Sequence, residues 1–261
     1  MDTARKLELI ALPGIPMVSA GDDVTTLILD GVAAAGTAIE DGDILVIAQK
    51  IISKTEGRIV DLGQVSPSSR AEELAVLTDK DPRLVEVILG ESSEVVRHRP
   101  GVLVVEHRLG VVLANAGIDR SNVESDGDEE NVLLLPEDPD ASSKRIGEEI
   151  ASRTGCRVAI IVNDSLGRAW RQGTCGVAIG AWGLSTLSDL RGRKDLYDRP
   201  LEVTQEAIAD ELAAAASLLQ GQADEGMPVV LVRGLAAARG EDGSDEGAPA
   251  LIRSKDEDLF R

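Results

Sequence analysis

Arg157-Val158-Ala159-Ile160-Ile161-Val162-Asn163-Asp164-Ser165-Leu166-Gly167-Arg168 is an apolar run that gives way to polar, turn-forming residues. Its first half, rich in Val and Ile, predicts a buried strand over Arg157 to Val162. Its second half predicts a loop holding a lone aspartate, Asp164. The pattern recurs upstream, where Gly110-Val111-Val112-Leu113-Ala114 precedes Asn115-Ala116-Gly117-Ile118-Asp119-Arg120-Ser121-Asn122. A carboxylate at the tip of a buried strand is rigidly aimed, and rigid oxygen ligands suit Mg²⁺ or Mn²⁺ sites that handle phosphates. Loops of Asp, Gly, Asn and Ser also serve simply as turns or helix caps. Spacing alone leaves both readings open.

Working outward, Leu7 to Leu12 predicts a first strand, and Pro13, Gly14 and Pro16 an extended segment after it. Asp22 and Asp23 cap a helix through Thr25 to Ala35. A buried strand, Ile44 to Ala48, is expected to continue through Lys50-Ile51-Ile52-Ser53-Lys54. Short helices follow over Ser69 to Leu77 and from Asp81-Pro82. Strands occupy Glu94 to Ala114 and Val132 to Leu135, separated by an acidic loop at Asp126 to Glu130. Asp138-Pro139-Asp140 opens a helix that stops near Gly155. Glycine-rich Gly173 to Gly183 predicts a strand with close backbone contacts. A helix over Gln205 to Gln220 and a strand over Met227 to Val232 complete the pattern. Strands and helices alternate without a strict βαβ rhythm, so the expected fold is α+β, with mixed sheets, flanking helices and two intertwined α/β subdomains. Residues 1–237 form the expected catalytic domain and 238–261 an acidic, mobile C-terminal segment.

Acidic residues outnumber basic ones by 46 to 27, for a net charge of -19. That argues against nucleic acid and anionic membranes as partners. It also obliges any phosphate site to supply local cations. No apolar run has the roughly 18 residues of a membrane span, and no export signal is visible at the N-terminus, so a cytoplasmic location is expected. Cys156 and Cys175 lack metal-ligand spacing and predict reduced core residues. His98 and His107 flank a strand and predict structural roles. Lys50 and Lys54, at i and i+4 on the expected strand, face one way. They would either hold an anion between them or form a solvated edge that discourages strand pairing. Arg168, Arg171, Arg191 and Arg193 offer forks for carboxylate or phosphate. Trp170 and Trp182 predict core packing more readily than ligand stacking.

Five segments, in order, carry a resemblance to a known family: Leu12-Pro13-Gly14-Ile15-Pro16 with Gly21-Asp22-Asp23; Gln49-Lys50-Ile51-Ile52-Ser53-Lys54-Thr55-Glu56-Gly57-Arg58; Asn115 to Asn122; Asn163 to Arg168; and Gly192-Arg193-Lys194-Asp195-Leu196-Tyr197. The chain resembles the coenzyme F420-0:L-glutamate ligases, the GTP-dependent γ-glutamyl ligases of F420 biosynthesis, from about residue 7 to 236. The resemblance implies that Asp119 and Asp164 hold a first divalent ion, Mg²⁺ or Mn²⁺, and act as the catalytic pair. Ser165 and Gln222 would serve a second ion, and K⁺ is a further candidate. GTP would lie against Pro16, Met17, Val18, Ser19, Gln49, Lys50, Lys54 and Asn122. Gln220, Gly221, Gln222, Ala223, Asp224, Glu225, Gly226 and Met227 would close over it. Ser165 stands where threonine is expected and keeps the hydroxyl. Gln222 stands where some relatives carry glutamate, and a neutral amide is the weaker ligand. The implied partners are F420-0, L-glutamate and GTP, in a homodimer. The same aspartates would also suit a metal-dependent phosphohydrolase, and a non-catalytic binder of an anionic deazaflavin or nucleotide is a third reading. Glutamate dependence separates the ligase from the hydrolase.

Overall fold

The computed structural model describes residues 5–120, 130–235 and 246–260. Strand β1 (Glu8–Ala11) is followed by helix α1 (Val24–Ala34), β2 (Ile44–Ala48), α2 (Gln49–Thr55) and β3 (Ile59–Asp61). Then come α3 (Ser69–Thr78), α4 (Pro82–Gly90), β4 (Ser92–Arg99), β5 (Val102–His107), β6 (Val112–Ala114) and β7 (Asn131–Leu133). Helix α5 (Pro139–Thr154), β8 (Ala159–Gly167), β9 (Thr174–Trp182), β10 (Ser188–Asp189), β11 (Gln205–Glu206), α6 (Ile208–Gln220) and β12 (Val229–Arg233) complete the order. Local chemistry explains the helix starts. The side chains of Asp23, Ser68, Asp81 and Asp138 each accept a backbone N–H of the first turn, and Pro82 and Pro139 open α4 and α5. Gly155, at φ 77°, closes α5 in the left-handed region.

The main sheet has the order β1-β12-β2-β8-β9. Only β2 and β8 run parallel; the other neighbours are antiparallel. The fold is α+β with mixed sheets, as expected. Alternation along β2 divides its side chains between two cores. Leu45 and Ile47 join Ile28 of α1 and Ile146 of α5 on one face. Ile44 and Val46 join Leu212, Ala213 and Ala216 of α6 on the other. A third cluster lies where α3 and α4 cover the β4-β5-β6 sheet, with Leu74, Ile88, Leu103 and Val105 at its centre. Small residues set the spacing of β9. A Cβ on Gly176 would come within 2.4 Å of the Ala213 carbonyl oxygen, and one on Gly180 within 2.5 Å of Pro139. The close backbone contacts predicted for this glycine-rich strand are therefore real, and they bring α6 and α5 down on its two faces.

Three expectations need correction. Gln49 to Thr55 is a helix, not the continuation of β2. It begins directly at the end of that strand, so no intervening turn announced it. Asp164 lies within β8 rather than in a loop beyond it, because pairing with β9 runs on to Gly167 past a register shift at Val162 and Asn163. Residues 246–260, expected as part of a mobile tail, pack back on the body: Ala248 is buried, Leu251 joins the α6 core, and Lys255 pairs with Glu94 and Glu106 at 2.9 Å. The acidic composition there obscured the apolar stretch Ala248 to Ile252. Among the described residues, no helix is long and apolar enough to cross a membrane.

Candidate active site

The parallel pair β2 and β8 sets the position of the site. Ligands of α/β sheets gather beyond the carboxyl ends of parallel strands, and here β2 ends at Ala48, opposite Asn163. A cavity of about 420 Å³ opens at that end. Four pieces of chain meet in it: Pro16 to Val18, the α2 residues Gln49, Lys50 and Lys54, the β8 residues Asp164 and Ser165, and the whole turn from Gln220 to Met227. In the helix, Lys50 and Lys54 are one turn apart and still share a face, for a different reason than the strand reading supposed. Gln49 and Lys54 are buried, while Lys50 is partly exposed.

Asp119 arrives from the β6–β7 connection. Asn115, Ala116 and Gly117 all have φ between 53° and 66°, a run of left-handed residues that costs non-glycines on the order of 1 kcal/mol each. Buried packing of Ala116 holds this turn in place. Asp119 is then pinned through its backbone, giving its N–H to Leu133 at 3.0 Å and accepting one back at 2.8 Å. Its carboxylate meets the Lys50 ammonium at 2.7 Å. Asp164 has one oxygen accepting the Ser165 N–H at 2.8 Å. Burial pushes its carboxyl up to about 6, and the nearby Asp119 charge adds to the rise against the pull of the Ser165 N–H and Lys50. Two carboxylates crowded this way, beside the Ser165 hydroxyl, form an oxygen donor set that a divalent cation would stabilise. Among the described residues, no group of three or more His, Cys, Asp or Glu is placed so that it could hold a metal ion. Such a set fits Mg²⁺, which binds through one or two carboxylates and takes its remaining oxygens from water and phosphate.

The turn over the cavity is tied down by a buried amide pair. Asn163 donates to Gln220 Oε1 at 2.6 Å, and Gln220 Nε2 reaches the carbonyls of Val46 at 3.2 Å and Pro228 at 3.1 Å. Gln222 donates to Ser165 Oγ at 2.9 Å, so the two residues assigned to a second ion do meet. Gly221, at φ 73° and ψ -176°, occupies a region open essentially to glycine alone, with the Glu225 carboxylate folded over it. Asn163 was not singled out as functional, although it stands beside Asp164 in the stretch that decided the fold.

Some assignments fall elsewhere. Ser19 is outside the cavity and gives its N–H to Asp22 at 2.8 Å. Asn122 lies outside the described residues, as does the acidic loop apart from Glu130. Arg168, Arg171, Arg191 and Arg193 do not line the cavity, and Arg191 pairs with its neighbour Asp189. Trp182 is half-buried and packs against Gly147, whereas Trp170 is 88% exposed beside Phe260, contrary to its expected burial. His107 is fully buried and faces Glu91 at 3.4 Å. Cys156 and Cys175 are free and only partly buried, not core residues.

Comparison with known proteins bears directly on this arrangement. The sequence profile of the F420-0:Gamma-glutamyl ligase family matches residues 14–234. The Coenzyme F420:L-glutamate ligase of Methanothermobacter thermautotrophicus is 48% identical over 98% of this chain and 99% of its own length. Those of Methanocaldococcus jannaschii and Archaeoglobus fulgidus are each 44% identical over 98% of this chain, covering 98% and 97% of their own lengths. Similarity over nearly the whole length, spanning every strand and helix around the cavity, shows that the chain belongs to the F420-0:gamma-glutamyl ligase family.

Proposed function

We propose that this protein is a GTP-dependent ligase that joins L-glutamate to the lactyl-phosphate carboxylate of coenzyme F420-0, with two divalent ions, Mg²⁺ or Mn²⁺, and with repetition through the γ-carboxylate. One observation carries the reading. The family match extends over residues 14–234 and takes in Asp164, Ser165, Lys50 and Lys54, which line one cavity, and Asp119, which adjoins it through Lys50.

A carboxylate is a poor acyl donor and needs activation. One of its oxygens attacks the γ-phosphorus of GTP, the bond to the β-phosphate oxygen breaks, and GDP leaves behind an acyl phosphate. The glutamate amine then attacks the acyl carbon, inorganic phosphate departs, and the amine loses its proton. Lys50 and Lys54 screen the phosphates in a chain whose overall field is hostile to anions. The Gln220 to Met227 turn covers the nucleotide and excludes water, which would otherwise intercept the acyl phosphate. Asp119 and Asp164 would hold the cations, whose charge offsets that developing on the transferred phosphoryl group. The protein thus acts by positioning and screening, without a covalent enzyme intermediate.

The test is mass spectrometry of the purified protein with F420-0, GTP, L-glutamate and Mn²⁺, omitting each in turn. A product heavier by one or more glutamyl units, absent without GTP or metal, is expected. Loss of GTP that ignores glutamate would replace the ligase with a hydrolase.

A further inference from the structure

We infer that the deazaflavin end of the acyl donor occupies a second, larger cavity, held between β9 and the C-terminal segment; this rests on the functional reading above. The cavity measures about 690 Å³ against about 420 Å³ for the one over Asp164. It falls in the range of pockets for cofactor-sized ligands, and L-glutamate has too few atoms to fill it. Its apolar wall comes from Val112 of β6, Val177 and Ile179 of β9, and Leu251, Ile252 and Phe260 beyond residue 246.

Register connects the two cavities. Val177 pairs with Asp164 and Ala178 with Asn163 across β8 and β9. The β9 members of both pairs line the larger cavity, and the β8 members line the smaller one. Paired residues of antiparallel strands stand about 4.5–5.5 Å apart. Val177 in the wall of the larger cavity and Asp164 in that of the smaller one are therefore next neighbours on the sheet.

The polar chemistry of the walls orients that ligand. Asp140 accepts the N–H groups of Ala181 at 2.7 Å and Ala248 at 3.0 Å, and Asp210 accepts that of Ala178 at 2.9 Å. These carboxylates satisfy buried N–H groups of β9 and of Ala248 and leave apolar surface between them. The same wall carries Arg108 and Arg253, so its charge is mixed, and the apolar surface between the polar groups suits a flat ring. The ring end faces Val177 and Ile179, and the anionic end with its reacting carboxylate points toward Lys50. The C-terminal segment thus forms a wall of the substrate site.

Calorimetric titration of F420-0 and, separately, of GTP into wild type, Val112→Trp and Ile252→Trp tests this. Val112 is 38% exposed and Ile252 37%, so both positions should accept a larger side chain. Val76→Trp, on the exposed face of α3, is the control. The expected result is an F420-0 dissociation constant raised about tenfold or more in both cavity variants, with GTP binding unchanged and the control like wild type. F420-0 binding at wild-type strength in both cavity variants, from a protein whose wild type ligates glutamate, would overturn the inference alone. An equal loss of GTP affinity would also overturn it. A wild type that neither binds F420-0 nor ligates would instead bring down the functional reading, and the inference with it.

Discussion

Asp164 is held where water is scarce and a second carboxylate stands close, and its pKa of about 6 measures that discomfort. A carboxyl whose folded pKa exceeds its ordinary value of 3.8 binds protons more readily in the folded chain. Its ionisation therefore removes stability as pH rises from about 4 through 6. In chelator, Asp164→Asn should be more stable than wild type at pH 7.5 by roughly 1–3 kcal/mol, with the gap closing below pH 4. Equal melting temperatures across that range would show that the carboxylate is not strained. The same substitution, like Asp119→Asn, should abolish ligation, because an amide replaces an anionic donor. Turnover at the wild-type rate by either variant would refute the ligand assignment. Lys54, only 8% exposed, brings a cation into the cavity at Coulombic advantage. Lys54→Ala should weaken GTP binding about tenfold or more, and an unchanged dissociation constant would remove Lys54 from the nucleotide site.

At the level of elements, the Gln220 to Met227 turn works because its start and end are tied to the sheet through Gln220. Gly221 supplies a backbone conformation that an L side chain resists, and an added Cβ would lie 2.0 Å from the Glu225 side chain. Gly221→Ala should cost about 1–3 kcal/mol and raise the KM for GTP more than it lowers kcat. A variant with wild-type KM would mean that the turn does not cover the nucleotide. Most helices here were legible from capping chemistry: Asp81-Pro82 and Asp138-Pro139 are start signals that tertiary context rarely overrides. Helix α2 was not legible, because Ile51-Ile52 reads as strand and Ala48 offers no capping side chain. Composition also hid the length of β8. Asn163, Asp164, Ser165 and Gly167 look like a turn, yet their backbones pair with β9, and the pairing partner lies outside any local window. Asp119 and Asp164 could be picked out individually from their apolar runs. Their meeting depends on a β7 bridge and a helix that place Lys50 between distant segments, which no local pattern encodes.

Across the whole molecule, the chain has a net charge of -19, and among the described residues a few partly buried ion pairs hold the parts together. Glu91, just past α4, is the junction between the third apolar cluster and the segment leading from α2. Its carboxylate receives Arg58 at 2.7 Å and Arg108 at 3.2 Å and faces His107 at 3.4 Å, and Arg58 also holds the Leu135 carbonyl at 3.0 Å. Burial pushes Glu91 up, but His107, Arg58 and Arg108 together outweigh it and leave the carboxyl at about 2. A folded pKa below the ordinary 4.5 means that the carboxylate adds stability above pH 4.5 and loses it as pH falls toward 2. Glu91→Gln keeps the shape but leaves two guanidinium groups without their counter-ion, so it should destabilise the protein at pH 7 by about 2 kcal/mol. That deficit should shrink as wild type is acidified through the same interval, with melting curves of both proteins from pH 7 to pH 2.5 as the readout. Because α2 carries Lys50 and Lys54 and leads into Arg58, the variant should also weaken GTP binding without any contact to nucleotide. Parallel melting curves at every pH would show that Glu91 is a bystander and that apolar packing alone joins the two parts of the fold.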